Sequence, residues 1–205
     1  DDRSWEVVST PHTVELMPAE GSGCRNYQGP AWYRKHFVVP TATKGQRVLL
    51  HFEAAMGKQV LYLNGKRVQE HLPFTLDLTA NGVQAGDSCL LAVYTDNSND
   101  KSYPPGKPQY TLDFAYHGGI YRDVWMIAKS PVAITDAIDS RTVGGGGVFV
   151  HFDKISEKSA QVYVETEIQN DNTRSESVTI ETTLTDAEGN VIKRTSGKLS
   201  LNSGE

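Results

Sequence analysis

The sequence is short of helix. No window of about 11–18 residues repeats apolar side chains at i, i+3, i+4 and i+7, so no amphipathic helix is predicted anywhere. It is nearly as short of cysteine: Cys24 and Cys89 are the two among 205 residues, at no spacing a metal site uses. Cys89 stands in the apolar run "SCLLAVY" and reads as a buried thiol, Cys24 lies in a loop, and a disulfide between them stays open. No block of Lys or Arg occurs, and 20 basic against 25 acidic residues leave a net charge of −5. That balance argues against nucleic acid and against an anionic membrane surface, and suits a neutral ligand. No apolar run approaches the ~20 residues of a membrane-spanning helix. No secretory leader is present, but the chain opens on "DDRSWEVV" without a Met, which reads as a mature or excised piece and leaves secretion undecided.

Sequence signatures of catalysis are missing as well. There is no G-x-S-x-G, no H-E-x-x-H and no Cys–His nucleophile pattern. His12, His36, His51, His71, His117 and His151 are scattered, none at metal-ligand spacing, and each reads as a surface or partly buried side chain. Acids such as Glu165, Glu167 and Glu181 alternate along strands as solvated faces. No motif marks a pair of carboxylates of the kind that cleaves a glycosidic bond.

What the sequence does have is strands. "WYRKHFVV" ends at Pro40, "QRVLLHFEA" follows a Lys44-Gly45 turn, and "QVLYLNGKRVQ" is two strands around Asn64-Gly65, a dipeptide that accepts φ > 0 at both positions of a hairpin turn. "PFTLDLT" points Phe74, Leu76 and Leu78 inward, "CLLAVYTD" reads as a near-continuous buried strand, and "YRDVWMIA" completes a set that implies a jelly-roll-type β-sandwich. Trp32, Tyr33 and Trp125 fall in these alternating strands and read as core or interface. After Ile127 aromatics thin out and Thr, Glu, Ser and Val dominate. Val162, Val164, Thr166 and Ile168 share one face, Val178, Ile180, Thr182 and Leu184 another, "DAEGNV" is a polar turn, and "VGGGGVF" a flexible connection. The predicted fold class is all-β: a sandwich domain over 1–130, then a smaller sandwich over 131–205 with four or five strands, which looks incomplete at "LNSGE".

One stretch is unlike a plain loop. "TLDFAYHGGIYRDVW" (111–125) places Asp113 between Leu112 and Phe114, ahead of Gly118-Gly119. Asp113 either faces water or caps a turn, or it is a carboxylate held by aromatic walls that accepts hydrogen bonds from sugar hydroxyls or meets a monovalent cation. The glycines allow close backbone approach or a φ > 0 bend, and Arg122 with Asp123 reads as a structural ion pair or a tie between domains.

These segments together resemble the sugar-binding jelly-roll domain of glycoside hydrolase family 2. "DDRSWEVVSTPHTVEL" is similar to that family's opening, "AWYRKHFVVP" to its Trp-Tyr-Arg strand, "FEAAMGKQVLYLNGKRV" to its Asn-Gly hairpin, "LAVYTDN" to its Asp-Asn strand, and "PPGKPQYTLDF" with "YHGGIYRDVWM" to its closing loop and strand. The resemblance runs in order over 1–128, an immunoglobulin-like sandwich is what the family has next, and the closing loop looks most like that of β-galactosidases. It implies the non-catalytic N-terminal part of an enzyme that hydrolyses terminal β-glycosides, whose catalytic glutamates sit in a (β/α)8 barrel in the same parent chain. It implies a β-galactoside-like carbohydrate as the substrate and that barrel as the partner, with a homo-oligomer left open. A secreted or periplasmic bacterial setting is what the family suggests.

Carried over by position, Asp113 contacts a sugar hydroxyl at the barrel mouth and, in some members, a sodium ion; sodium or magnesium are the cofactors implied for the parent enzyme. The loop before "AWYRK" reaches the same pocket, with Gln28 as its polar contact and Asn26 as the alternative. Between "NGKRVQEH" and "PFTLD" the segment His71-Leu72-Pro73 is shorter than in many members, so the pocket rim differs. Two other readings remain: a free-standing carbohydrate-binding module or lectin, and a structural protein of tandem sandwiches.

Overall fold

The computed structural model describes residues 2–15, 27–70, 74–137, 140 and 142–205. Two compact units divide the chain, Asp1–Ala128 and Lys129–Glu205. The expected all-β class is what the structure contains.

In the first unit β1 (Pro30–Val38), β2 (Arg47–Phe52), β3 (Lys58–Leu63), β4 (Lys66–Glu70), β5 (Phe74–Asp77), β6 (Ser88–Asp96) and β7 (Val124–Lys129) form two sheets. One has four strands in the order β1-β6-β3-β4, the other three in the order β5-β2-β7. β3 and β4 are joined through Asn64 (φ 50°) and Gly65 (φ 81°), both left-handed, as the dipeptide predicts. The inner faces meet in a core of Leu61, Leu63, Leu91 and Val93 from the first sheet and Val48, Leu50, Phe52 and Leu76 from the second, with Leu78 and Ile120 beside them. Leu76 and Leu78 point inward as expected; the side chain of Phe74 is not among those described.

β6 differs from its expected continuous burial. Cys89, Leu91, Val93 and Thr95 are buried, while Leu90, Ala92, Tyr94 and Asp96 lie on the outer, partly solvated face. The strand is central in its sheet, but only the inner face of that sheet meets the core, while the outer face meets the N-terminal residues Asp2 and Trp5 at Arg34 and His36, so burial along β6 follows the two-residue period. The same outer face carries Trp32, which is 49% exposed, and Trp125 on β7 is 54% exposed. Neither is a core residue of its unit. Tyr33, one position on from Trp32, packs against the core instead.

The described residues of the second unit hold six strands: β8 (Val132–Ile134), β9 (Val148–Asp153), β10 (Gln161–Thr166), β11 (Ile168–Asn170), β12 (Glu176–Thr185) and β13 (Val191–Leu201). The count exceeds four or five because one extended run breaks into β10 and β11 at Glu167, whose backbone bonds to Thr135 and Gly147. They pair antiparallel as β9–β10, β8–β11 and β12–β13. Val178, Ile180 and Thr182 share the half-buried face of β12, as their spacing predicts, whereas Leu184 near the turn is exposed. In β9, Val148, Phe149, Val150 and Phe152 are all exposed, on both faces. Asn170 is fully buried; its amide donates to the carbonyls of Arg174, Leu201 and Asn202, which anchors the end of β13.

Candidate functional site

The segment leaving β6 organises one end of the first unit. Asn97 is 1% exposed, and all of its side-chain valences used here go to backbone from other segments. Its Oδ1 accepts from Gly29 N at 3.0 Å, and its Nδ2 donates to Tyr27 O at 2.7 Å and Tyr116 O at 3.1 Å. A buried amide this well matched holds loops rigidly, because each carbonyl would otherwise be dehydrated without a partner. Gln109, buried in the short 3-10 turn Gln109–Thr111, donates from Nε2 to Asn97 O at 2.6 Å, and its backbone N–H donates to Asn99 Oδ1 at 2.9 Å.

From that turn the chain runs outward and back. Leu112 is buried, Asp113 and Phe114 are exposed, and Tyr116 is buried again with its hydroxyl donating to Pro104 O at 3.0 Å. Burial pushes the Tyr116 phenol up to about 12, so it stays a neutral donor. Asp113 therefore sits at the crest of a loop pinned on both sides by Leu112 and Tyr116. Gln28 is exposed beside the anchored Gly29, and its Oε1 accepts from Asn99 Nδ2 at 3.2 Å. The structure thus brings Gln28 and the Asp113 loop onto the same two asparagines. Asn26 and Cys24 lie outside the described residues, as does His71-Leu72-Pro73.

The Gly-Gly pair has a packing role. Gly119 O accepts from Met56 N at 3.0 Å, and Gly118 O and Ile120 O accept from Val14 N and His12 N, at 2.8 and 2.7 Å. Gly119 has φ +114°, and a Cβ there would overlap the Tyr33 hydroxyl and lie 3.0 Å from His12 O. His12 Nδ1 in turn bonds that hydroxyl at 2.8 Å. Arg122 and Asp123 do not form the expected ion pair among the described residues. The chain bends at Arg122, just before β7: Arg122 is exposed, and Asp123 contributes its carbonyl, which accepts from Glu53 N at 3.1 Å.

Among the described residues no group of three or more His, Cys, Asp or Glu side chains converges as a metal site. Among the described residues of the Asp113 loop, Asp113 is the carboxylate, and sodium or magnesium bind through six or so oxygens. Asn97, Asn99 and Gln109 are the site residues that sequence reasoning passed over. For the two asparagines the signal is the polar cluster "TDNSND" at the end of β6; Gln109 has none.

Comparison with known proteins bears on the fold and the family. The sequence profile of glycosyl hydrolases family 2, sugar binding domain, matches residues 8–131. A β-glucuronidase from Formosa agariphila is 32% identical over all of this chain, which covers 22% of that protein. A β-galactosidase from Thermoanaerobacter pseudethanolicus is 32% identical over 82% of this chain and 21% of its own length. Among solved structures, a family 2 β-glucuronidase superposes with a TM-score of 0.84 at 32% identity, covering all of this chain and 23% of that one. A Bacteroides uniformis β-glucuronidase gives 0.83 at 27%, covering all of this chain and 24% of the other. The chain spans about a fifth of the length of the curated relatives it matches.

Proposed function

Since this chain belongs to glycosyl hydrolases family 2, we propose that it is the non-catalytic part of an enzyme that hydrolyses terminal β-glycosides. In this reading it lends the Asp113 loop to an active site built by a catalytic barrel elsewhere in the parent protein. The observation that carries the reading is the exposed Asp113 on a loop pinned by Leu112, Tyr116 and the Asn97–Gln109 hydrogen bond. A carboxylate accepts two or more hydrogen bonds, and a rigid support lets it select hydroxyl positions on a sugar ring. Gln28, held by Asn99, supplies a second polar contact from the neighbouring loop. Asn26 would serve the same loop, and a sodium or magnesium ion, if used, would need its remaining ligands from outside this chain.

A β-galactoside is the substrate we favour, on the loop pattern "PPGKP…YHGGIYRDV". A β-glucuronide is the second reading, favoured by the Formosa agariphila relative that aligns with the whole chain. The test uses the full-length enzyme on nitrophenyl β-galactoside and β-glucuronide, with and without Asp113→Ala. Loss of one charge-assisted hydrogen bond of about 2–3 kcal/mol lowers kcat/KM by about 30–150-fold. A change of less than about 2-fold on the better substrate removes Asp113 from the site.

A further inference from the structure

On the outer face of the four-stranded sheet, away from the core, the register sets Trp32 opposite Tyr94 and Tyr94 opposite Val60. Trp32 and Tyr94 meet edge to face with centroids 5.1 Å apart, and Trp32 lies 5.9 Å from Tyr62 at a 35° tilt. The row leads into a polar hollow of about 70 Å³ at the sheet's end, because Tyr94 donates its hydroxyl to Asp96 Oδ2 at 2.9 Å and Asp96 lines that hollow. Lys58, opposite Asp96 in register, pairs with Asp100 across the hollow, and Asn99, Tyr103, Lys107 and Tyr116 are among the residues of its wall.

The charges in the hollow are fixed. Asp96, despite the cost of its burial, is held below the usual carboxylate range by the Ser98 N–H and the Tyr94 hydroxyl. Asp100 is held lower still by Lys58 and by Ser102, whose N–H and Oγ donate at 2.7 and 2.6 Å. Two carboxylates against two ammonium groups make the hollow electrically balanced, so it has no preference for an anion or a cation. Donors and acceptors interleaved at that density, beside the exposed Trp32 ring and the half-buried Tyr62, match one ligand chemistry: a neutral polyol with apolar C–H faces. Sugars have both.

We propose that this outer face is a second carbohydrate-binding surface, on which the rings of Trp32 and Tyr62 stack on sugar faces of a neutral glycan chain while Asp100 and Lys58 hold hydroxyls of its end residue. It is separate from the Asp113 loop and does not depend on the assignment of Asp113. The two loci share a wall: Asn99, which holds Gln28, and Tyr116, which pins the Asp113 loop through Pro104 O, both line the hollow.

The test is saturation-transfer NMR and tryptophan fluorescence of this 205-residue chain with β-1,4-galactotetraose. Expected is binding with a Kd of about 1 mM or tighter. Trp32→Ala and Asp100→Asn each weaken it by about 5–10-fold, Trp32→Phe restores most of it, and Asp113→Ala leaves it unchanged. Asp100 stands in an exposed loop, so its substitution reports on the hollow even where Trp32→Ala unfolds. No saturation transfer at about 10 mM sugar overturns the proposal. Binding that survives Trp32→Ala and Asp100→Asn but is lost in Asp113→Ala overturns it too, while leaving the Asp113 reading standing.

Discussion

Replacing Asn97 by alanine perturbs the whole site-bearing end of the first unit. The side chain is 1% exposed and makes three hydrogen bonds, to Gly29 N, Tyr27 O and Tyr116 O. At about 1 kcal/mol each the bonds alone are worth about 3 kcal/mol, and a buried N–H and carbonyls left without partners raise the cost to about 4–5 kcal/mol. Against the 5–15 kcal/mol of a typical domain that is a large fraction, and it lowers Tm by about 10–20 °C for a unit of this size. Calorimetry and urea unfolding of the two-unit chain measure it, with the first transition moving and the m-value unchanged. Asn97→Asp keeps the acceptor for Gly29 but loses both donors and buries a charge, so it is no milder. Hydrogen exchange localises the effect, since the amides of Gly29 and Gln109 lose protection before those of β2 and β6. A cost below about 0.5 kcal/mol, or unchanged exchange at Gly29, refutes the idea that one amide holds the three loops.

Gly119→Ala forces a Cβ into the Tyr33 hydroxyl at φ +114° and destabilises the first unit by more than about 2 kcal/mol, read as a drop in urea midpoint. Tyr116 keeps its proton to about pH 12 in the native chain whereas the unfolded chain loses it near pH 10. The unfolded state then binds fewer protons, so stability falls from about pH 10 to 12, and tyrosinate absorbance in the native chain lags that in urea. Asp96 and Asp100 titrate below their unfolded values, so their contribution is present above pH ~4 and is lost as pH falls through the lower native values. Asp100→Asn accordingly flattens the acid limb of the Tm–pH curve, and an unchanged limb refutes the assignment. Asp113→Ala, at an exposed crest, leaves Tm within about 2 °C while it lowers kcat/KM of the full-length enzyme.

Much of the fold was legible because it depends on local period and turn chemistry. Asn64-Gly65 could hardly be anything but a hairpin turn, and Leu76 and Leu78 show their face by alternation alone. Burial on the second face of a strand depends on what covers the sheet, which no single segment encodes; hence β6 looked continuous and Trp32 and Trp125 looked covered. Asp113 stood out as an acid between apolar neighbours. Asn97 did not, because an asparagine after a strand reads as a turn residue until the carbonyls of Tyr27 and Tyr116 are seen to converge on it. Arg122 and Asp123 looked like a pair by adjacency, which says nothing of how the chain bends at Arg122 and leaves it exposed.

The exposed β9 strand bears on how this chain behaves in a tube. "VFVHFD" joins high strand propensity to a single formal charge, and its Val148, Phe149, Val150 and Phe152 are open to solvent. Such a window is a template for cross-β stacking between molecules. What guards it here is the flanking Asp153-Lys154 pair and the single partner strand β10 on one edge. The expectation is that concentrated stocks of this chain aggregate first through these six residues of the second unit, however firmly the first is folded.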